Sequence, residues 1–242
     1  MKAYHHVMGA GFFLDVALKD GLLTPAKDRL NWETAKTICD QDITQMEQEK
    51  GVSEIGLEAF RRVIREQIKG LRRHHGFLPW TTLHCEDFIA GDLESIFFSV
   101  GDWPEGIRKF RELHRHKGPK SIKNGFVFDA FELIEMGGRL RLVDFGMFYQ
   151  LLLAVVFPKM FEAKEFASLI NIEAPSTVNE AIDILDAIRN KMMGMEFYGD
   201  GAMAALQEGQ VIPGRSEIVL AGAISTDHAI EIWKEGQLIE SR

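Results

Sequence analysis

An α+β fold is what the sequence predicts, on three observations: short aromatic and β-branched runs, helical periodicity confined to longer stretches, and no regular βαβ alternation of the two. The order reads strand, helix, helical insert, several strands, helical insert, strand, helix. With 242 residues, 46% of them hydrophobic and 26% charged, the chain can bury about 70% of its unfolded surface. One domain over 1–242 is expected, with helical insertions at about 32–75 and 148–207. No repeat, collagen-like pattern or low-complexity segment interrupts it.

Taken in order, Ala3 to Met8 is a short strand candidate closed by a turn at Gly9 to Gly11. Phe12 to Lys19 has the 3–4 spacing of a helix, which Asp20-Gly21 stops. Between Trp32 and Leu71 the chain is helical in character. There Leu57, Phe60, Ile64, Ile68 and Leu71 form one apolar stripe and the basic residues among them the wet side. Glu94 to Val100 reads as a strand ended by Gly101-Asp102, and Trp103-Pro104-Glu105 as a helix start. Phe126 to Ile134 and Arg139 to Phe145 read as two strands of a hairpin turning at Met136-Gly137-Gly138. Phe148 to Phe157, Thr177 to Met193 and Gly201 to Gln207 read as helices, the second capped by Ser176 or Thr177 with Glu180 in capping-box position. Glu217 to Leu220 is the last strand and Thr226 to Trp233 the last helix.

The net charge of -8 argues against nucleic acid or an anionic membrane as partner, but its distribution reopens the first. Arg61, Arg62, Arg65, Lys69, Arg72 and Arg73 stand in segment 61–75 beside one acid, Glu66. Segment 108–123 holds seven more basic residues beside Glu112, so thirteen of the 28 basic residues lie in two windows. Two solvated helix faces would give the same pattern. The longest apolar run, Met147 to Phe157, is too short to span a bilayer, so no membrane partner is expected. His5 and His6 stand where a secretory signal would build its apolar region. Cys39 and Cys85 form no C-x-x-C pair, and a reducing cytoplasm is the expected compartment.

Several chemical motifs are absent. Gly9-Ala10-Gly11 lacks the third glycine of a dinucleotide fingerprint, and there is no phosphate-binding loop, H-E-x-x-H or G-x-S-x-G. Asp144-Phe145-Gly146 has no catalytic loop to accompany it. His74, His75, His84 and Cys85 match no standard zinc spacing, so no metal site is expected.

Three separated segments are more specific. Tyr4-His5-His6-Val7 is followed by Leu14, Ala17, Leu18 and Asp20-Gly21-Leu22-Leu23-Thr24-Pro25. Ile96-Phe97-Phe98-Ser99 precedes Asp102-Trp103. Gly214-Arg215-Ser216-Glu217-Ile218-Val219-Leu220 precedes Ala223-Ile224-Ser225. In this order they resemble the ADP-ribosyltransferase-like fold, nearest to its DNA-targeting toxin branch. The resemblance covers about 100 residues and implies a split antiparallel sheet core with helical insertions, NAD as co-substrate and a macromolecular acceptor, nucleic acid included. It assigns Glu217 as the catalytic carboxylate, and Phe98 and Ser99 as flanking the nicotinamide and its ribose. It also puts His5 or His6 at the adenosine-side ribose.

Chemistry gives these roles independent sense. Breaking the bond to nicotinamide develops positive charge on the ribose, which a fixed carboxylate stabilises more in the transition state than in the ground state. His5 and His6 face opposite sides of their strand, so only one can serve, and the spacing to Gly21 favours His6. Arg139 and Arg141 share a strand face and would extend a basic surface for phosphate contacts. Two departures stand out: Val7 or Met8 occupies a position where the family often has threonine, and about 90 residues separate His6 from Phe98. A second class of answer is a non-catalytic protein- or nucleic-acid-binding module, such as a phage or defence accessory protein, that uses the basic helices.

Overall fold

The structure is a computed structural model that describes residues 1–7, 12–29, 32–71, 85–90, 93–102, 124–142, 145–159, 174–214 and 216–242. Arg72, Arg73, His74, His75, His84, the helix start expected at Trp103, the basic segment 108–123 and Arg215 lie outside the described residues, as does the side chain of Cys85. In chain order the first elements are β1 (Lys2–Val7), α1 (Phe12–Asp20), β2 (Leu22–Leu23), α2 (Ala26–Arg29), α3 (Trp32–Glu47), α4 (Glu54–Lys69) and α5 (Cys85–Ala90). Then come β3 (Ser95–Val100), β4 (Asn124–Asp129), α6 (Ala130–Glu135), β5 (Arg139–Arg141), α7 (Phe145–Val156), α8 (Val178–Met193), β6 (Glu196–Phe197) and α9 (Gly199–Gln207). The chain closes with β7 (Glu217–Ala221), β8 (Ile224–Ser225), β9 (Glu231–Lys234) and β10 (Gln237–Ser241). The fold is mixed α+β, and its contacts group into two compact units.

The first unit comprises Met1–Asp28, Glu94–Phe145 and Met195–Arg242. It holds an eight-stranded sheet in the order β10-β9-β4-β1-β3-β7-β5-β6, antiparallel at every pair, and a two-stranded ribbon of β2 and β8. Alternation along the strands sends Ala3, Val7, Ile96, Phe98, Val100, Phe126, Phe128, Leu140, Ile218, Leu220 and Ile232 to one face. There they form a continuous core with Leu14 and Ala17 of α1, Leu133 and Ile134 of α6, and Ala202, Ala205 and Leu206 of α9.

The sheet is not equally joined throughout. β1 pairs with β4 from Lys2↔Asp129 to Val7↔Asn124, and β3 pairs with β7 from Ser95↔Ala221 to Ser99↔Glu217. β1 and β3 meet only at Ala3↔Val100 and Tyr4↔Ser99. Beyond that point no ladder pairing joins the two four-stranded halves, and His5 Nδ1 lies 2.9 Å from the Phe97 carbonyl oxygen, a side chain bridging where the ladder has ended.

Three expectations need correction. The strand expected over Phe126 to Ile134 ends at Asp129, whose Oδ1 accepts from Phe131 N at 2.8 Å and Glu132 N at 3.2 Å and so starts α6. Met136-Gly137-Gly138 is accordingly a helix terminus and not a hairpin turn: Gly137, at φ 94°, and Gly138 donate back to Ile134 O and Leu133 O. β5 pairs with β7 and β6, and helix has resumed by Phe145. The helix expected over Thr226 to Trp233 is one 3-10 turn, Thr226–His228, followed by β9. Pairing of β9 with β4 and a two-residue turn at Glu235-Gly236, both at positive φ, make this segment a hairpin with β10.

The second unit comprises Arg29–Leu93 and Gly146–Gly194. Within it α4 packs on α3, α5 and α8, burying Leu57, Phe60, Val63 and Ile64. Ser53 caps α4 by accepting from Gly56 N at 3.2 Å. At α8 the Thr177 hydroxyl accepts from Glu180 N, while the Glu180 carboxylate accepts from Ser176 N and Oγ at 2.8 Å and is held below the usual carboxylate range.

Gly138 sets where β5 lies. A Cβ there would stand 2.5 Å from Leu133 O and 2.8 Å from Ile218 Cγ2, so Gly138→Ala must shift the α6 backbone and the Ile218 side chain as well. Thermal or urea unfolding is expected to show that variant destabilised by about 1–3 kcal/mol, the usual scale of overpacking.

Candidate functional site

The second face of the sheet carries most of its chemistry. One row of directly opposed residues crosses all eight strands: Ser241, Glu231, Val127, Tyr4, Ser99, Glu217, Arg141 and Glu196. Opposed residues on neighbouring strands have Cβ atoms about 4.5–5.5 Å apart, so each side chain in the row can interact with the next. Ser99 and Glu217 are half-buried, whereas Tyr4 is 1% and Arg141 4% exposed. His6 and Phe97, two residues on from Tyr4 and back from Ser99, share this face and are also half-buried.

Tyr4 stands directly opposite Ser99, and burial, with the negative charge of Glu217 adding to it, pushes its phenol up to about 12. The neutral phenol is therefore the form present at physiological pH, and it places a polar hydroxyl beside the Ser99–Glu217 pair. At the β9 end, Lys2 Nζ donates to Glu231 Oε1 at 2.5 Å and Trp233 Nε1 to Glu231 Oε2 at 2.9 Å. Burial pushes the Glu231 carboxyl up, but these hydrogen bonds outweigh it and leave the group below its ordinary value.

At the β6 end the row closes in a buried ion cluster. Arg141 Nε donates to Glu196 Oε1 at 2.6 Å, Arg139 Nη1 to Glu196 Oε2 at 3.2 Å, and the Tyr198 hydroxyl to Glu196 Oε2 at 2.9 Å. The Glu196 side chain is fully buried. Arg139 also reaches Ser95 Oγ at 3.4 Å, and the Arg141 guanidinium carbon lies 5.7 Å from the centre of the Phe97 ring. Burial raises the Tyr198 phenol as well, helped by the Glu196 charge.

The structure thus brings Glu217, Ser99 and His6 to one face. Phe98 and His5 lie on the other: Phe98 is fully buried in the core, edge-on to Phe128 at 5.2 Å and 5.8 Å from His5. The aromatic ring on the face of Ser99 is Phe97. Arg139 and Arg141 do share a strand face, as expected, but Arg141 is buried against Glu196 rather than extending a basic surface.

The basic side of α4 is likewise compensated. Arg61 pairs with Glu47, Arg62 with Glu58 at 3.2 Å, Arg65 with Glu58 at 3.9 Å, and Lys69 with Glu66 at 2.5 Å. Four cations against three carboxylates leave a small local field for a polyanion. Among the described residues no group of His, Cys, Asp and Glu is arranged to hold a metal ion, and no helix is long and apolar enough to cross a membrane.

Tyr4, Phe97, Glu196 and Tyr198 are the residues the sequence reading left out of the site. The period of two would have found the first pair, since Tyr4 follows from His6 and Phe97 from Ser99. Glu196 carries no local signal, because it meets its arginines 55 and 57 residues away. No protein-family model, curated protein or solved structure matches the chain.

The Tyr4 shift yields a test of this packing. A phenol whose value is raised on folding stabilises the folded chain fully below pH 10 and loses that contribution as pH rises toward about 12. Denaturant unfolding across that interval is expected to cost wild type about 2–3 kcal/mol more than Tyr4→Phe, on the scale of two pH units of linkage. Equal losses would mean that Tyr4 titrates as an exposed tyrosine does.

Proposed function

We propose that this protein is an NAD-dependent ADP-ribosyltransferase acting on a macromolecular acceptor, with Glu217 as its catalytic carboxylate. One observation carries the reading. The three segments that resemble the family are far apart in sequence, yet they form the adjacent central strands β1, β3 and β7. Glu217 stands directly opposite Ser99, with His6 on the same face. The parting of the sheet between β1 and β3, and the pairing of Leu22-Leu23 with Ile224-Ser225, agree with a split-sheet core.

In this reading NAD lies across the parting strands. Ser99 hydrogen-bonds the nicotinamide-side ribose, Phe97 offers the ring for the nicotinamide, and His6 donates to the adenosine-side ribose. The Glu217 carboxylate accepts from the ribose 2'-hydroxyl. As the bond from the anomeric carbon to nicotinamide breaks, its electron pair leaves with nicotinamide and the ribose becomes cationic. Glu217 faces that charge while the acceptor's nucleophile attacks the same carbon and loses its proton. The seven basic residues of segment 108–123 keep nucleic acid among the acceptors to test, beside protein.

Radiolabelled NAD supplied with separate protein, single-stranded DNA and RNA acceptors tests the reading. Wild type is expected to release nicotinamide and label one acceptor class, and Glu217→Gln to lose both by a factor of about 100 or more while staying folded. Release without transfer would mean glycohydrolysis or a missing acceptor. Neither release nor transfer by folded wild type would contradict the reading and favour a binding module.

A further inference from the structure

We propose that Arg141 is a positioning residue for Glu217: anchored from behind by Glu196, it keeps the Glu217 carboxylate ionised and fixed on β7. The inference rests on the proposed role of Glu217, but the geometry behind it does not. Arg141 and Glu217 are directly opposed on neighbouring antiparallel strands. The Arg141 guanidinium is held on one side by Glu196 of β6 and lies near the ring of Phe97 of β3 on the other. Between β6 and β3 run only β5 and β7, so the guanidinium lies over this strand pair, on the face that carries Glu217.

Charge balance points the same way. Arg139 and Arg141 bring two positive charges to the single Glu196 carboxylate, whose side chain is wholly buried. Two guanidinium groups, that of Arg141 buried and that of Arg139 half-buried, favour a second carboxylate beside the cluster. Glu217 supplies the second carboxylate, with Oε2 buried, at the next position of the same row. The described groups on its face are Tyr4 and His6 of β1, Ser99 of β3, and Arg141 and Arg139 of β5, with Glu196 of β6 behind them. Of these only the arginines are permanently cationic; His6 lies on β1, with β3 between it and β7, and Arg139 stands opposite Val219, one row away. Arg141 is therefore the residue that sets the ionisation of Glu217.

The two ends of the clamp make opposite predictions. Glu217 is to be titrated in the NAD-free, full-length protein by carbon NMR of labelled glutamate carboxyls, its resonance identified by loss in Glu217→Gln. Arg141→Gln removes the nearest cation and is expected to raise the Glu217 titration midpoint by about 1–3 units. Glu196→Gln keeps both arginines, removes the competing carboxylate, and is expected to lower that midpoint. Arg141→Lys is expected to stay close to wild type.

A merely structural disturbance would move both neutralising variants in the same direction or leave the midpoint unmoved, and either result overturns the proposal. Should Arg141→Gln fail to unfold cooperatively, the Glu196→Gln shift decides alone, a fall supporting the clamp and a rise or no change overturning it. Wild type that releases no nicotinamide from NAD refutes the proposed activity. It does so without touching the titration, so the two failures are distinct.

Discussion

The register of β7 between β3 and β5 is the constraint on which the candidate site depends. Side chains alternate along a strand, so a slip of one residue would send Glu217 to the core and bring Ile218 to the polar face. Two features prevent that slip. Ile218 and Leu220 are committed to the apolar core on the far side. Ser216, fully buried, ties the start of the strand: its carbonyl accepts from Val100 N at 2.9 Å, while its hydroxyl accepts from Ile212 N at 2.8 Å and donates to Leu142 O at 3.3 Å. Both neighbouring strands are thus locked to β7 immediately before Glu217.

Given that register, the two faces of the sheet divide the labour. The apolar face makes the core with α1, α6 and α9, and its cohesion supports a second face built of groups that cost free energy to bury. Glu196 and Arg141 are tolerated there because each is hydrogen-bonded to an opposite charge, and because Tyr198 and Arg139 take up the remaining lone pairs of the carboxylate. A buried ion cluster of this kind adds little net stability, but it fixes geometry strictly, since loss of any one partner leaves a charge stranded. The place where β1 and β3 part follows from the same economy. Pairing stops after Tyr4↔Ser99, and His5 supplies a polar group to the Phe97 carbonyl.

What was legible in the sequence was local. The helices from Trp32 to Leu71 and from Val178 to Met193 follow from apolar spacing and caps, and β1, β3 and β7 from short alternating runs. Asp129 reads as part of a strand because its capping role needs a helix to follow, and Phe131 to Ile134 is as apolar as a strand. The β9 segment is ambiguous for the reverse reason: Ile230, Ile232 and Trp233 suit either period, and only pairing with β4 decides. At the site, Glu217, Ser99 and His6 were found through short motifs. Glu196 and the burial of Arg141 were not, because they arise from strand pairings more than 50 residues apart in sequence. The basic run on α4 was visible, but its compensation by Glu47 from α3 was not.

The central claim is that the parting between β1 and β3, with Glu217 beside it, receives NAD. Backbone amide shift mapping during titration with NAD tests it most directly. Perturbations centred on His5 to Val7, Phe97 to Ser99 and Glu217, saturating together with one affinity, are the predicted result. Saturable shifts confined to α4 or to other elements remote from these strands, or none at millimolar NAD, would contradict the account.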